Sequence, residues 1–200
     1  MPVAMEHKIK FYGFARPEKA LTRDGLIGEC AQSGCLMFQL GVEGGSRDLL
    51  ARFNKGIDPA ESRRVLAMAA EAGIRNYVYL LFGLPGETDD DRRATLGLLK
   101  DNVPNIDFLN LSIFNMPKHC ELAERAEEFE VELDDYNLHG ETLHFYRPFK
   151  VGGIDPRRGT REFISNVLLV GADIKAIHQR TPKWFRAAHL ALMDLPGRRI

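Results

Sequence analysis

Twice in succession the chain runs helix, glycine, strand, glycine, carboxylate, and this repeat most narrows the folds open to it. One unit places Gly34 ahead of an apolar run over 36–42 and ends on Gly41 and Glu43. The next places Gly73 ahead of a run over 77–82 and ends on Gly83 and Glu87. Short apolar runs separated by stretches of helical period are the pattern of parallel strands joined by crossover helices. A strand over 8–14 opens the series. A helix is predicted from about Thr22, with Leu26, Ile27, Cys30 and Ala31 at three- and four-residue spacing, and Gly34 stops it. Asp58-Pro59-Ala60-Glu61 reads as a capping box with proline at the first helical position. The helix it opens has Val65, Leu66 and Ala69 as its inner stripe and ends at Gly73. The run over 77–82 is apolar on both faces, as a parallel strand covered by helices on either side must be. Thr88-Asp89-Asp90-Asp91 opens a further helix, its acids suiting the positive end of the dipole. A fourth strand is expected over 106–114 and another helix over 121–129. In a parallel α/β barrel a glycine and a carboxylate just past a strand's C-terminal end fall at the mouth where the loops converge. A doubly wound open sheet alternates in the same way, so periodicity alone leaves both architectures open.

Past residue 130 the pattern changes, and 131–200 are expected to form a mostly helical extension to a domain over 1–130. Residues 121–141 hold nine acidic and one basic residue, read as a solvated helix face and linker. A long helix is expected over 155–179 and a shorter one over 182–193 containing Trp184. Lys175, Arg180, Lys183, Arg186, Arg198 and Arg199 read as solvated charge. The formal net charge of -1 gives no global pull toward nucleic acid or an anionic membrane. No apolar run approaches the roughly 18 residues of a membrane span, and the N-terminus carries no secretory signal pattern. Three cysteines, odd in number and irregular in spacing, suggest no disulfide framework and fit a reducing cytoplasm. The histidines at 7, 119, 139, 144, 178 and 189 form no metal-binding motif; His139 and His144, five apart, are the one pair near enough in sequence to consider. No Walker-type loop is present.

The stretches that carry chemistry are Leu40-Gly41-Val42-Glu43-Gly44-Gly45-Ser46, then Asn54-Lys55-Gly56, then Phe82-Gly83-Leu84-Pro85-Gly86-Glu87-Thr88. Each is weak alone; their order on successive strand–helix units is specific. Together with Phe14-Ala15-Arg16-Pro17, Phe114-Asn115-Met116-Pro117 and Leu122-Ala123, they make residues 8–130 resemble the radical S-adenosylmethionine superfamily. The likeness is greatest to members that often carry a cobalamin-binding domain upstream. The resemblance implies a partial (β/α) barrel and contacts to S-adenosylmethionine. Glu43 would meet its ribose or amino acid end, and Lys55 would pair with its methionyl carboxylate. The segment Leu81–Gly86 would lie beside the adenine, with Gly83 allowing close backbone approach. Arg16, Gly41, Ser46, Leu84 and Pro85 complete the expected cofactor-binding set. Such a ligand wants a cation, a carboxylate, hydrogen-bond partners and an apolar ledge, and a charged hydrogen bond contributes about 1.5–3 kcal/mol.

The superfamily's three-cysteine motif, which holds its 4Fe-4S cluster, is absent. Cys30 and Cys35 lie at the entry to a strand, and from Cys35 to Glu43 extended chain covers roughly 26 Å, so these thiols belong to the wrong end of a barrel. They are expected to be small core residues; Cys120 is on the correct side but alone. The sequence is therefore expected to be the second half of such a barrel. The full protein would cleave S-adenosylmethionine reductively at the cluster, for radical chemistry or for methyl transfer with cobalamin, on an unknown substrate. Its partner would be the missing N-terminal half or a separate chain supplying it. The alternatives are a non-catalytic binding or assembly subunit, and an aldolase-like enzyme using Glu43 and Glu87 as acid and base.

Overall fold

The computed structural model describes residues 9–134 and 145–182. His7, His139, His144, His189, Lys183, Arg186, Arg198 and Arg199, and the 182–193 helix with Trp184 except for its first residue, lie outside the described residues. In chain order come β1 (Phe11–Ala15), α1 (Leu26–Gln32), β2 (Cys35–Glu43), α2 (Arg47–Arg52), α3 (Pro59–Glu71), β3 (Arg75–Phe82), α4 (Asp89–Asp101) and β4 (Phe108–Ile113). The four strands form one sheet in the order β1-β2-β3-β4, every pair parallel. Successive side chains on a strand point to opposite faces, and the two faces differ. Leu40, Val42, Val78, Leu80, Phe82 and Leu109 join Val65, Leu66, Leu98 and Leu99 of the helices in the main core. Met37, Tyr77 and Phe108, with Tyr12 and Tyr79, form a separate inner cluster to which no described helix contributes. Helices on one face only mark an arc of a barrel; a doubly wound sheet is covered on both.

Local signals explain most of the boundaries. Ser46, Asp58 and Thr88 cap α2, α3 and α4, accepting from the backbone N–H groups of Leu49, Ala60 and Asp91. Val65, Leu66 and Ala69 are fully buried, as their stripe requires. Helix α1 starts later than expected, because Asp24 and Gly25 both hold positive φ (53° and 74°) and no helix runs through such a pair. Nor is the reciprocal box at Asp58: it closes between Thr88 and Asp91. Glu61, 7% exposed, instead accepts from the hydroxyl of Thr22, tying the loop before α1 to α3.

The later chain departs further from expectation. After the two-residue β5 (Met116–Pro117), the helix expected over 121–129 divides into α5 (Glu121–Glu124) and a 3-10 turn (Ala126–Phe129). Glu130 then adopts positive φ, and β6 (Val131–Leu133) follows. Strand β5 pairs antiparallel with β7 (Tyr146–Arg147), and β6 with β8 (Phe149–Val151). The helix expected over 155–179 is two: α6 (Pro156–Phe163) runs into a π turn (Ile164–Leu168), and α7 (Ala172–Arg180) starts afresh after Gly171. Leu168, Ile174 and Ile177 are buried in the main core, so these helices pack on the same face of the sheet as α3 and α4. The C-terminal end of α7 also closes one sheet edge. Thr181 Oγ1 accepts from Leu109 N–H at 2.9 Å, and the Arg180 guanidinium donates to the carbonyls of Ile106 and Asp107 at 2.8 Å each.

Candidate functional site

Strand β2 ends in a bulge: its register to β3 shifts between Gly41 and Glu43, and Glu43 takes φ 64°. A non-glycine residue in the left-handed region costs energy and clusters at functional sites. Its carboxylate folds back over Gly41, where a Cβ would sit 3.2 Å from Glu43 Oε1. Glu43 Oε2 lies 3.7 Å from Lys55 Nζ, both side chains roughly a quarter exposed. Lys55 follows α2 in a turn held by positive φ at Asn54 and Gly56, and its carbonyl accepts from the Arg16 guanidinium. A side chain on Gly56 would come within 2.9 Å of Arg16 Nη2. The fold thus gathers Arg16, Gly41, Glu43 and Lys55 at the C-terminal ends of β1 and β2.

Beneath them the inner face is polar and aromatic. Tyr79 donates to Gln39 Oε1 at 2.8 Å, and Ser112 to Asn110 Oδ1 at 2.7 Å. Burial pushes the Tyr79 phenol well above its ordinary range, with Tyr77 beside it adding to the rise. Gln39 is 1% exposed, yet its Nε2 has no partner among the described residues, and a buried donor left unmade costs about 1–3 kcal/mol. Phe14 stands at the β1 edge, 79% exposed, its ring 6.4 Å from that of Tyr79. Sequence reasoning passed over Gln39, Tyr79, Asn110 and Ser112. Their signal was the two-residue alternation in β2 and β4, where Phe38, Leu40, Val42, Leu109 and Leu111 are apolar and the residues between them are mostly polar.

The remaining expected residues are placed differently. Ser46 is taken up as the cap of α2 and donates to Asp91. Leu81 is partly buried; Gly83, Leu84 and Pro85 are buried. Gly83 and Gly86 hold φ 77° and 74°, forming the turn out of β3. Glu87 is sealed in and already engaged, which leaves it unsuited to act as the acid or base partner of Glu43. Its side chain is 2% exposed, accepting from Gly83 N–H at 2.7 Å and Arg92 Nε at 2.9 Å. Burial raises its pKa, against the opposing pull of Gly83 N–H and Arg92.

Cys35 is the first residue of β2 and Glu43 the last, so the thiol and the carboxylate mark opposite ends of the strand. Burial raises Cys30 and pushes Cys35 up to about 11, which disfavours the thiolate a metal needs. Cys120 lies near Met116 Sδ and the Pro117 carbonyl. Among the described residues no group of three His, Cys, Asp or Glu side chains is placed to hold a metal, so they do not fit a 4Fe-4S cluster. They do fit the polar end of S-adenosylmethionine: the Glu43 carboxylate lies over Gly41 with the Lys55 ammonium beside it, Arg16 stands on the Lys55 carbonyl, and the Gln39 amide lies on the face below.

A parallel sheet covered by helices on one face, with charged side chains gathered at its strand C-termini, is the mouth of an incomplete (β/α) barrel. Over residues 7–99, a little under half of the chain, the sequence matches the family model of the radical SAM superfamily. The fold resembles TsrM of Kitasatospora setae, a radical S-adenosylmethionine methyltransferase solved with cobalamin and a [4Fe-4S] cluster, at TM-score 0.52 and 20% identity. That likeness covers 66% of this chain and 27% of the other. It also resembles the archaeal Elp3 of Methanocaldococcus infernus, at TM-score 0.50 and 16% identity, over 60% of this chain and 28% of that one. The chain therefore spans little more than a quarter of these structures. No curated protein matches it significantly. Among the described residues no helix is long and apolar enough to cross a membrane.

Proposed function

We propose that this chain supplies the S-adenosylmethionine-binding arc of a radical SAM enzyme and part of its substrate wall. The observation that carries the reading is the Glu43–Lys55 pair beside Gly41 at the strand ends, with Arg16 bound to the Lys55 carbonyl. Lys55 meets the methionyl carboxylate, displacing a Glu43 contact that at partial exposure stabilises the fold by no more than about 1 kcal/mol. Glu43 then accepts from the ammonium or the ribose hydroxyls. The adenine lies along Leu81 and the Gly83–Glu87 turn, where glycine lets the backbone approach. Substrate occupies the inner face below, against Tyr79, Asn110 and Ser112. Bound S-adenosylmethionine supplies a methyl group or a deoxyadenosyl radical in the complete enzyme. The cluster ligands, and cobalamin if the reaction is methyl transfer, come from elsewhere in that enzyme. The arc is completed beside β1 by further strands, from a longer chain or from a separate partner. The open inner face and the absence of a strand on the outer side of β1 among the described residues favour this.

Titrating S-adenosylmethionine into the isotope-labelled chain tests the reading. Amide shifts are expected at Gly41, Glu43, Lys55, Leu81 and Gly83. Glu43→Gln and Lys55→Met should each weaken binding about tenfold, the loss of one charged hydrogen bond. Shifts confined to other residues, or equal affinity in both variants, would reject it.

A further inference from the structure

Helix α6 belongs to the part of the chain that carries no sequence motif, yet it packs directly on the turn out of β3. Thr160, fully buried, places its Oγ1 3.1 Å from where a Cβ on Gly83 would stand. The same hydroxyl donates to Pro156 O at 2.8 Å and lies 3.3 Å from Arg92 Nη2. Arg92, its side chain 12% exposed, binds Glu87 at 2.9 Å and Asp89 at 3.2 Å, and its guanidinium lies 6.0 Å from the centre of the Phe163 ring. Phe163 in turn packs against Phe82 at the end of β3, the centroids 6.2 Å apart. On the far side of the turn, a Cβ on Gly86 would meet Arg52 Nη1 at 2.5 Å. A continuous chain of buried polar contacts thus runs from α6 through Arg92 and Glu87 to the amide of Gly83.

We infer that Thr160 and Arg92 are positioning residues: α6 sets the geometry of the Gly83–Glu87 turn by orienting the carboxylate that holds the Gly83 amide. A carboxylate that is 2% exposed has few other ways to be oriented. Its second partner, Arg92, is planar and forked and spans Glu87 and Thr160 together, which an ammonium does not. The turn is therefore not set by the barrel arc alone. The functional meaning rests on the reading that this turn borders the adenine of S-adenosylmethionine.

The test uses the whole chain, with amide exchange at Gly83 and S-adenosylmethionine affinity as separate readouts. Thr160→Val keeps the volume against Gly83 and removes the hydroxyl, and Thr160→Ser restores the hydroxyl. Gly83 exchange is expected to rise about tenfold in the valine variant, in line with a buried charged contact left partly unmade, and to return to the parent rate in the serine variant. Arg92→Lys, which keeps the charge without the fork, should accelerate exchange as the valine variant does. Unchanged exchange in both Thr160→Val and Arg92→Lys, or equal acceleration in Thr160→Val and Thr160→Ser, overturns the inference. Faster exchange with undiminished S-adenosylmethionine affinity upholds the positioning role and rejects the placement of adenine at this turn.

Discussion

Glu43 and Glu87 occupy matching positions in the sequence repeat and opposite electrostatic situations in the fold. Glu43 remains partly exposed beside a lysine, whereas Glu87 is sealed beneath α6. Burial dominates Glu87 and holds its pKa above the ordinary 4.5 despite Arg92. An acid with a raised folded pKa binds its proton longer in the native state than in the unfolded one. Stability therefore falls as pH rises from about 4.5 through the raised value. Asp91 runs the other way. Burial opposes its charge, but hydrogen bonds from Ser46 and Thr88 outweigh that and hold it below 3.8, so its contribution is lost only as pH falls through that lower range. Urea unfolding across this interval should show stability declining with pH in the parent. Glu87→Gln removes a titrating group and should flatten the slope; an unchanged slope would show that Glu87 is not its source. The repeat could not separate the two acids, because the difference lies in Arg92, five residues on, and Thr160, 73 residues on.

Regular elements were legible where period and cap agreed. The four parallel strands and helices α3 and α4 follow from apolar runs bounded by Gly34, Gly73 and the caps at Asp58 and Thr88. The site was legible to the same depth: the strand ends bearing Glu43 and the Lys55 turn were read, whereas the polar inner face showed only as alternation in β2 and β4, and was missed because the tyrosines of β3 count as apolar. The breaks in 121–129 and 155–179 escaped notice, since a 3-10 or π turn keeps the apolar stripe while changing the hydrogen-bond pitch. Strands of two and three residues, such as β5 and β7, carry no period at all. One element gives a direct measurement. Thr88 accepts from Asp91 N–H while the Asp91 carboxylate accepts from Thr88 N–H, and the same carboxyl group receives Ser46. Thr88→Ala should cost about 1 kcal/mol in chemical denaturation. A loss within error of zero would mean that Ser46 alone holds the start of α4.

The two edges of the sheet are finished differently, and that asymmetry governs how the whole molecule associates. At β4 the last turn of α7 blocks further pairing: Thr181 takes the Leu109 amide and Arg180 takes two carbonyls. At β1 the described residues place no strand on the outer side, and Phe14 of that edge strand stands over the inner face, 79% exposed with its ring 6.4 Å from that of Tyr79. Helices α6 and α7 complete the core on the helical face through Leu168, Ile174 and Ile177, so the weakness lies on the inner face and not in the sheet as a whole. An open strand edge templates pairing with another chain, and an exposed aromatic beside it adds apolar area that monomers seldom leave bare. The chain should therefore self-associate through β1 as its concentration rises. Phe14→Lys puts a charge on the edge, a device proteins use to block edge pairing, and should shift the molecule toward the monomer without lowering thermal stability, since Phe14 contributes little to the core. Sedimentation velocity over a concentration series of both proteins decides the matter. Equal association in parent and variant would move the contact away from β1, and a parent that stays monomeric throughout would show the inner face to be tolerated in water.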